Sequence, residues 1–153
     1  MSTEHWQQAY EAGDDSKSWT QGSAEPSLTA IARTGVALDG PILDVGGGSS
    51  PLAGELLARG HTDITVLDIA QNALDLARSR LGGQADAVRW LQADLMTWRP
   101  ERRYAIWHDR AVLHFFTDPE DRATYARAVD AALAPGGYAV IATFAPDGPE
   151  QCS

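Results

Sequence analysis

The sequence is nearly free of cysteine, with Cys152 as the single thiol among 153 residues. One thiol can form neither a disulfide within the chain nor a cysteine-based metal site. The four histidines are scattered along the sequence and suggest no set of metal ligands. We therefore expect no metal, and a fold that depends on one hydrophobic core, which a chain of this length can build as a single domain.

Long apolar runs and basic runs are also missing. No stretch approaches the roughly 18 apolar residues of a membrane-spanning helix, and residues 1–22 lack the basic start and apolar centre of a secretory signal. Acidic residues outnumber basic ones 21 to 12, for a net charge of −9, and offer nucleic-acid phosphates no positive surface. We therefore expect a cytoplasmic protein with neither a nucleic acid nor a membrane as its partner.

Short apolar runs alternate with longer amphipathic runs, a pattern typical of βα units and a parallel sheet. Helices are predicted over 27–38, 51–60, 71–81 and 118–133. The predicted strands span 42–45, 64–67, 88–91, 105–107 and 138–144. Right-handed crossovers place these five strands in one open, doubly wound α/β sheet of order 3-2-1-4-5 with helices on both faces. Ligands of such sheets bind outside the carboxyl ends of the strands.

Three consecutive glycines, Gly46, Gly47 and Gly48, follow the first strand. Glycine allows a backbone to approach a ligand closely, although a tight strand-to-helix turn without a ligand is an alternative. The dinucleotide fingerprint is not matched, because the position of its third glycine holds Pro51, which has no N–H for a phosphate. Asp44 adds a negative charge nearby. Both residues favour a cationic ligand such as S-adenosylmethionine, which carries an ammonium and a sulfonium.

Two further acids end predicted strands. Asp68 ends the second strand, where a carboxylate can accept both hydroxyls of a ribose; a helix N-cap is the alternative role. Asp94 ends the third strand, where it can accept the amino group of an adenine while the N–H of Leu95 meets a ring nitrogen. A plain turn residue is the alternative for Asp94. The sequence thus indicates a nucleoside site at this edge of the sheet.

Taken together, four segments resemble the class I S-adenosylmethionine-dependent methyltransferases, in their small-molecule-type branch. They are an acid and glycine loop (42–50), an acid after strand two (66–69), an acid after strand three (92–95) and a Pro-Gly-Gly turn before strand five (134–141). The resemblance implies a Rossmann-like core that binds S-adenosylmethionine. The cofactor contacts that it implies in these motifs are Asp44, Gly46, Gly47, Gly48, Asp68, Ile69, Asp94 and Leu95.

Residues 107–115 are similar to the segment after strand four of that branch, which reaches the methionine part of the cofactor and the substrate. The resemblance makes His108 a further cofactor contact. His108 and Asp109 are also candidate general bases, since a histidine side chain titrates near neutral pH. A structural role is the alternative for His108, as packing is for His114. Residues 1–26 resemble a lid in which Trp19 packs on the cofactor, although an ordinary aromatic anchor is the alternative for Trp19.

Domains of this family continue past strand five with another helix and an antiparallel hairpin, whereas this sequence stops at Ser153. We therefore expect a core, 27–153, that is truncated at its carboxyl end and self-associates through the open edge from Tyr138 to Phe144. Three functions fit: methyl transfer to a small-molecule acceptor, cofactor binding without turnover, and an NAD-type oxidoreductase. Pro51 and Asp44 disfavour the third.

Overall fold

A computed structural model describes residues 24–48, 50–110, 112–113 and 116–141. The helices are α1 (Glu25–Thr34), α2 (Leu52–Ala58), α3 (Gln71–Leu81) and α4 (Pro119–Ala132), with a 3-10 helix over Gly82–Ala87. The strands are β1 (Ile42–Val45), β2 (Ile64–Asp68), β3 (Val88–Gln92), β4 (Tyr104–Asp109) and β5 (Leu133–Ile141). Predictions for Trp19, His114, Cys152, most of the lid segment and residues 142–144 fall outside the described residues.

The five strands form one parallel sheet of order β3-β2-β1-β4-β5. The predicted doubly wound topology is therefore confirmed. β1 lies at the centre of the sheet between β2 and β4, where the direction of the strand order reverses. In open α/β sheets this switch point leaves a crevice at the carboxyl ends of the strands, and ligands bind there.

The hydrophobic core has two layers because side chains of each strand alternate between the faces of the sheet. Ile42 and Ile106 pack with apolar residues of α1, α2 and α3 on one face. Leu43 and Trp107 pack with apolar residues of α4 on the other. β1 is buried along its whole length, as expected for a central parallel strand covered on both sides.

The end of α1 and the start of β5 differ from the sequence prediction, and both lie near glycine residues. α1 spans Glu25–Thr34 instead of 27–38, because Gly35 adopts a left-handed conformation (φ 72°) and its N–H donates to the carbonyl of Ala32. β5 begins at Leu133, which pairs with Tyr104, and the ladder resumes after a bulge over 134–137. The predicted Pro-Gly-Gly turn therefore lies within the bounds of β5 instead of preceding it.

Side chains just before α4 and α2 accept backbone N–H groups at the start of each helix. Asp118 caps α4, since its side chain accepts the N–H of Glu120 at 3.0 Å. α2 begins at Leu52, and the hydroxyl of Ser50 accepts the Leu52 N–H at 3.1 Å. Within the described parts of the chain, none of the helices combines the length and the apolar character that crossing a membrane requires.

Candidate cofactor-binding site

A cleft of about 380 Å³ opens at the carboxyl edge of the sheet. Five of the predicted cofactor contacts line it, namely Gly46, Asp68, Ile69, Asp94 and Leu95. The loop after β4 contributes Val112 and Phe116 to the same wall. The fold therefore brings the ends of β1, β2 and β3 together with the loop after β4 around one concave surface.

Asp68 links the cleft to the glycine loop. Its Oδ2 accepts the N–H of Gly48 at 3.0 Å, and its Oδ1 accepts the N–H of Ala70 at 2.9 Å. The N-cap residue of α3 is Ala70, so Asp68 does not have the alternative role of a helix N-cap. Because a carboxylate has about four acceptor sites, both oxygens retain capacity for the hydroxyls of a ligand.

Asp94 and Leu95 form the far side of the cleft. The Oδ1 of Asp94 accepts the N–H of Met96 at 2.9 Å, and its carbonyl accepts the N–H groups of Thr97 and Trp98. Asp94 therefore stabilises the turn after β3, which is the alternative role that the sequence allowed. It also lines the cleft. Leu95 is buried and Ile69 is 60% exposed, and both contribute apolar surface to the cleft that the two carboxylates also line.

The N–H groups of the glycine loop are mostly used within the protein. Gly46 donates to the carbonyl of Leu67 at 2.7 Å, and Ser50 donates to the carbonyl of Gly47 at 3.0 Å. Gly48 donates to Asp68, as described above. A phosphate at a helix N-terminus needs such N–H groups as donors. The loop therefore offers poor support for a pyrophosphate, in agreement with the argument from Pro51.

Two glycines of the loop are required by close approach to the site acids. A Cβ on Gly47 would lie 2.1 Å from Oδ2 of Asp44, and one on Gly48 would lie 2.9 Å from Oδ2 of Asp68. A larger residue at Gly47 would displace the Asp44 carboxylate, and one at Gly48 would meet Cβ of Ala73 at 2.6 Å as well as the Asp68 carboxylate. The glycines thus serve the placement of Asp44 and Asp68, a reason that the sequence alone did not provide.

Asp44 lies behind the cleft and belongs to a buried row of three polar side chains. Its Oδ1 lies 2.9 Å from Nδ1 of His108, and Nε2 of the same ring lies 2.7 Å from the hydroxyl of Ser27. Their exposed fractions are 1% for Asp44, 0% for His108 and 4% for Ser27. Oδ2 of Asp44 is buried without a hydrogen-bond partner among the described residues.

Asp109 anchors the loop after β4. It is fully buried, and it accepts the N–H of Val112 at 2.6 Å, the N–H of Leu113 at 3.0 Å and the hydroxyl of Tyr125. The indole N–H of Trp107 donates to the same Tyr125 hydroxyl at 3.0 Å. Burial raises the pKa of the Asp109 carboxyl and, well above its usual value, that of Tyr125.

The predicted general bases therefore lie at the site without reaching the cleft. His108 and Asp109 have no exposed surface, and neither lines the cleft. Both ring nitrogens of His108 are engaged with Asp44 and Ser27. A general base must come within hydrogen-bond reach of the proton it removes. A catalytic role for either residue stays a prediction, and the described arrangement favours positioning.

The sequence prediction missed several residues of the site. Ser27 is a polar residue four positions before Ile31 on the buried face of α1, and such a polar member of an apolar stripe is a usable signal. Tyr125 gave no comparable signal, because tyrosine is common on the buried side of a helix. Within the described ranges, no group of three or more histidine, cysteine or acidic side chains could hold a metal ion.

Comparison with known proteins agrees with this geometry. The family described as "Methyltransferase domain" matches residues 42–137. No curated protein matches the chain. Because the matched family covers more than half of the sequence, the chain belongs to the methyltransferase domain family.

Solved structures of methyltransferases share the fold. The glycopeptide N-methyltransferase MtfA is 23% identical with a TM-score of 0.67, over 77% of this chain and 52% of that one. An S-adenosylmethionine-dependent methyltransferase from Clostridium acetobutylicum is 20% identical with a TM-score of 0.66, over 84% and 50%. A putative one from Methanococcus maripaludis is 21% identical with a TM-score of 0.65, over 86% and 64%. The chain thus spans about half the length of the first structures that it matches.

Proposed function

We propose that this chain binds S-adenosylmethionine in the cleft and transfers its methyl group to a small-molecule acceptor in the cytoplasm. The observation that carries the proposal is that Asp68 and Asp94, which lie at the carboxyl ends of two adjacent strands, line one cleft together with the apolar residues Ile69 and Leu95. A nucleoside has the matching pattern, with polar ribose hydroxyls at one end and a flat base with a polar edge at the other. Structures of MtfA with S-adenosylmethionine and with S-adenosylhomocysteine support the choice of ligand.

The residues of the cleft suggest how each part of the cofactor is held. Asp68 accepts the ribose hydroxyls, and Asp94 accepts the adenine amino group. Ile69 and Leu95 give the adenine ring apolar contacts. Asp44 attracts the ammonium of the methionine part, because its buried Oδ2 has no donor among the described residues.

The loop chemistry distinguishes this ligand from a dinucleotide. N–H groups that a pyrophosphate would need are directed to Leu67, Gly47 and Asp68 within the protein. The carboxylate of Asp44 repels a phosphate and attracts a cation. These contacts support S-adenosylmethionine over NAD, and they oppose the oxidoreductase alternative.

The chemistry that we propose depends mainly on positioning. When bound, the cofactor supplies a methyl group on a sulfonium, which a nucleophile attacks in line. Holding two reactants in line can contribute up to about 7–11 kcal/mol to such a step. Asp109 contributes by fixing Val112 in the cleft wall through the Val112 N–H. A neutral amine acceptor would need no general base before the attack, which accords with the burial of His108.

Cofactor binding without turnover is the second candidate function. The observation that favours it is the length of the chain, which covers only about half of the first matching structures. Incubation with isotope-labelled S-adenosylmethionine and a panel of amines, phenols and thiols separates the two, since a labelled product requires transfer.

Calorimetry provides the primary test of the proposed ligand. We expect S-adenosylhomocysteine to bind the unsubstituted chain with a one-to-one stoichiometry and NAD to give no measurable heat of binding. Binding of NAD in preference to S-adenosylhomocysteine would reject the proposal. Absence of binding by either compound would reject a nucleoside cofactor in this cleft altogether.

Asp68→Ala tests the assignment of the ribose contact. We expect it to weaken S-adenosylhomocysteine binding about ten- to a hundredfold, because hydrogen bonds to a charged group contribute about 1.5–3 kcal/mol. Asp75→Ala is the matched control, since Asp75 is an exposed acid of α3 whose only described contact is with Gln71. Equal affinities of the two variants would contradict the role of Asp68.

A further inference from the structure

Three buried side chains from three elements lie in a row behind the cleft. Ser27 belongs to the first turn of α1, His108 to β4 and Asp44 to β1. Asp44 and His108 are register partners on adjacent parallel strands, so their side chains leave the same face of the sheet. α1 covers that face and brings the Ser27 hydroxyl to Nε2 of the ring.

The proton donors of this row can be assigned from the chemistry of its members. A carboxylate only accepts, so the 2.9 Å contact between Asp44 and His108 requires a proton on Nδ1. A neutral ring then has a bare Nε2, which accepts the hydroxyl proton of Ser27 at 2.7 Å. Asp44 thereby sets the tautomer of the imidazole, and the Ser27 hydroxyl, which can donate or accept, donates to Nε2 and holds the ring in place.

The contact with His108 occupies one oxygen of Asp44 and leaves the other for a ligand. Oδ1 receives the imidazole proton, whereas Oδ2 is buried with no partner among the described residues. The backbone of Gly47 lies against Oδ2, because a Cβ there would come within 2.1 Å of it. Arg110 acts on Asp44 as a nearby cation, but Oδ2 has no hydrogen-bond donor among the described residues, and a cationic N–H group of a ligand supplies one.

We infer that Ser27 and His108 are positioning residues that hold Asp44 for the amino-acid end of the cofactor. The inference rests on the proposed function and extends it to a residue, Ser27, that does not line the cleft. Removal of the Ser27 hydroxyl leaves Nε2 without its donor and removes one of the two contacts that hold the ring, and Asp44 then loses its fixed orientation. The adenosine end, which contacts Asp68 and Asp94, does not depend on this row.

Two ligands that differ only at the amino-acid end test the inference. S-adenosylhomocysteine carries the ammonium and carboxylate, whereas 5′-methylthioadenosine retains the nucleoside and the sulfur without them. For Ser27→Ala we expect affinity for S-adenosylhomocysteine to fall about three- to tenfold, the effect of one lost hydrogen bond, and affinity for methylthioadenosine to stay within about twofold. Thr29→Ala, which removes an exposed hydroxyl from the same helix, should change neither affinity.

The outcomes separate a positioning role from a merely structural one. Equal loss of affinity for both ligands in Ser27→Ala, or no loss for either, would overturn the inference. In an Asp44→Asn background the Ser27→Ala change should have no further effect on S-adenosylhomocysteine, and additive losses would contradict the coupling. If the unsubstituted chain binds neither ligand, the proposed function itself fails and the inference fails with it.

A second measurement needs no substitution and therefore does not depend on the folding of a variant. Imidazole ¹⁵N chemical shifts report the tautomer of His108 directly. We expect a protonated Nδ1 in the ligand-free chain, and a shift change on adding S-adenosylhomocysteine that methylthioadenosine does not reproduce. A ring protonated only at Nε2, or equal responses to the two ligands, would overturn the inference.

Discussion

Removal of one buried hydroxyl, in Tyr125→Phe, should destabilise the fold by about 3 kcal/mol. The hydroxyl donates to Asp109 and accepts the indole N–H of Trp107 at 3.0 Å. A hydrogen bond to a charged or strongly polar group contributes about 1.5–3 kcal/mol, and a buried donor left without its acceptor costs about 1–3 kcal/mol. Phenylalanine keeps the ring and its edge-to-face contact with Trp107 (centroids 5.5 Å apart), so little packing is lost.

Equilibrium unfolding in urea measures this difference as a shift of the transition midpoint at constant slope. Tyr104→Phe is the matched control, because Tyr104 is 4% exposed and the contact described for it, with the Arg102 guanidinium 5.3 Å from the ring centroid, is made by the ring that phenylalanine keeps. The control should lie within about 0.5 kcal/mol of the unsubstituted chain. A cost below about 1 kcal/mol for Tyr125→Phe, or equal costs for the two variants, would refute the reasoning about the Asp109 network.

Three further predictions follow from particular contacts. Gly47→Ala should lower the free energy of unfolding by about 1–3 kcal/mol and abolish S-adenosylhomocysteine binding, because the new Cβ would overlap Asp44. Gly83→Ala is the control and should be nearly neutral, because a Cβ at Gly83 meets no atom within 4 Å. Because burial raises the pKa of Asp109, the stability that this carboxyl contributes is present at acid pH and is lost as the pH rises through its folded-state pKa. The free energy of unfolding of Asp109→Asn, measured in urea relative to that of the unsubstituted chain, should therefore increase from about pH 4 to pH 7. A difference that stays constant with pH would contradict this. Self-association through the edge of β5 should raise the sedimentation coefficient with concentration, and a monomer at every concentration would exclude it.

Strand order and the position of the cleft followed from local patterns in the sequence. The alternation of short apolar runs with amphipathic runs defines βα units, and the right-handed crossover then limits the topology to few choices. Acids and glycines at strand ends consequently fall at one edge of the sheet. Asp68 and Asp94 both line the cleft for this reason, and their contacts with a cofactor stay predictions.

Segment boundaries were less well predicted, because they depend on interactions between distant parts of the chain. β5 extends back to Leu133 since Tyr104 of β4 offers it a pairing partner across a bulge. The end of α1 is instead set locally, by the left-handed conformation of Gly35, whereas the start of β5 is set by pairing with a distant strand. Local propensity cannot supply such information when tertiary pairing decides the outcome.

The sequence by itself determined the fold class and the edge of the sheet at which the candidate cofactor contacts lie, and it led to the prediction of a cation instead of a phosphate as the ligand. These conclusions depend on the residue types at the strand ends, and general rules of strand order are enough to bring those residues together at one edge of the sheet. Only the tertiary structure decided that His108 and Asp109 are enclosed instead of facing the cleft. Their roles depend on which partners, Ser27 from α1 and Tyr125 from α4, pack over the two faces of the sheet, and no local pattern encodes those contacts.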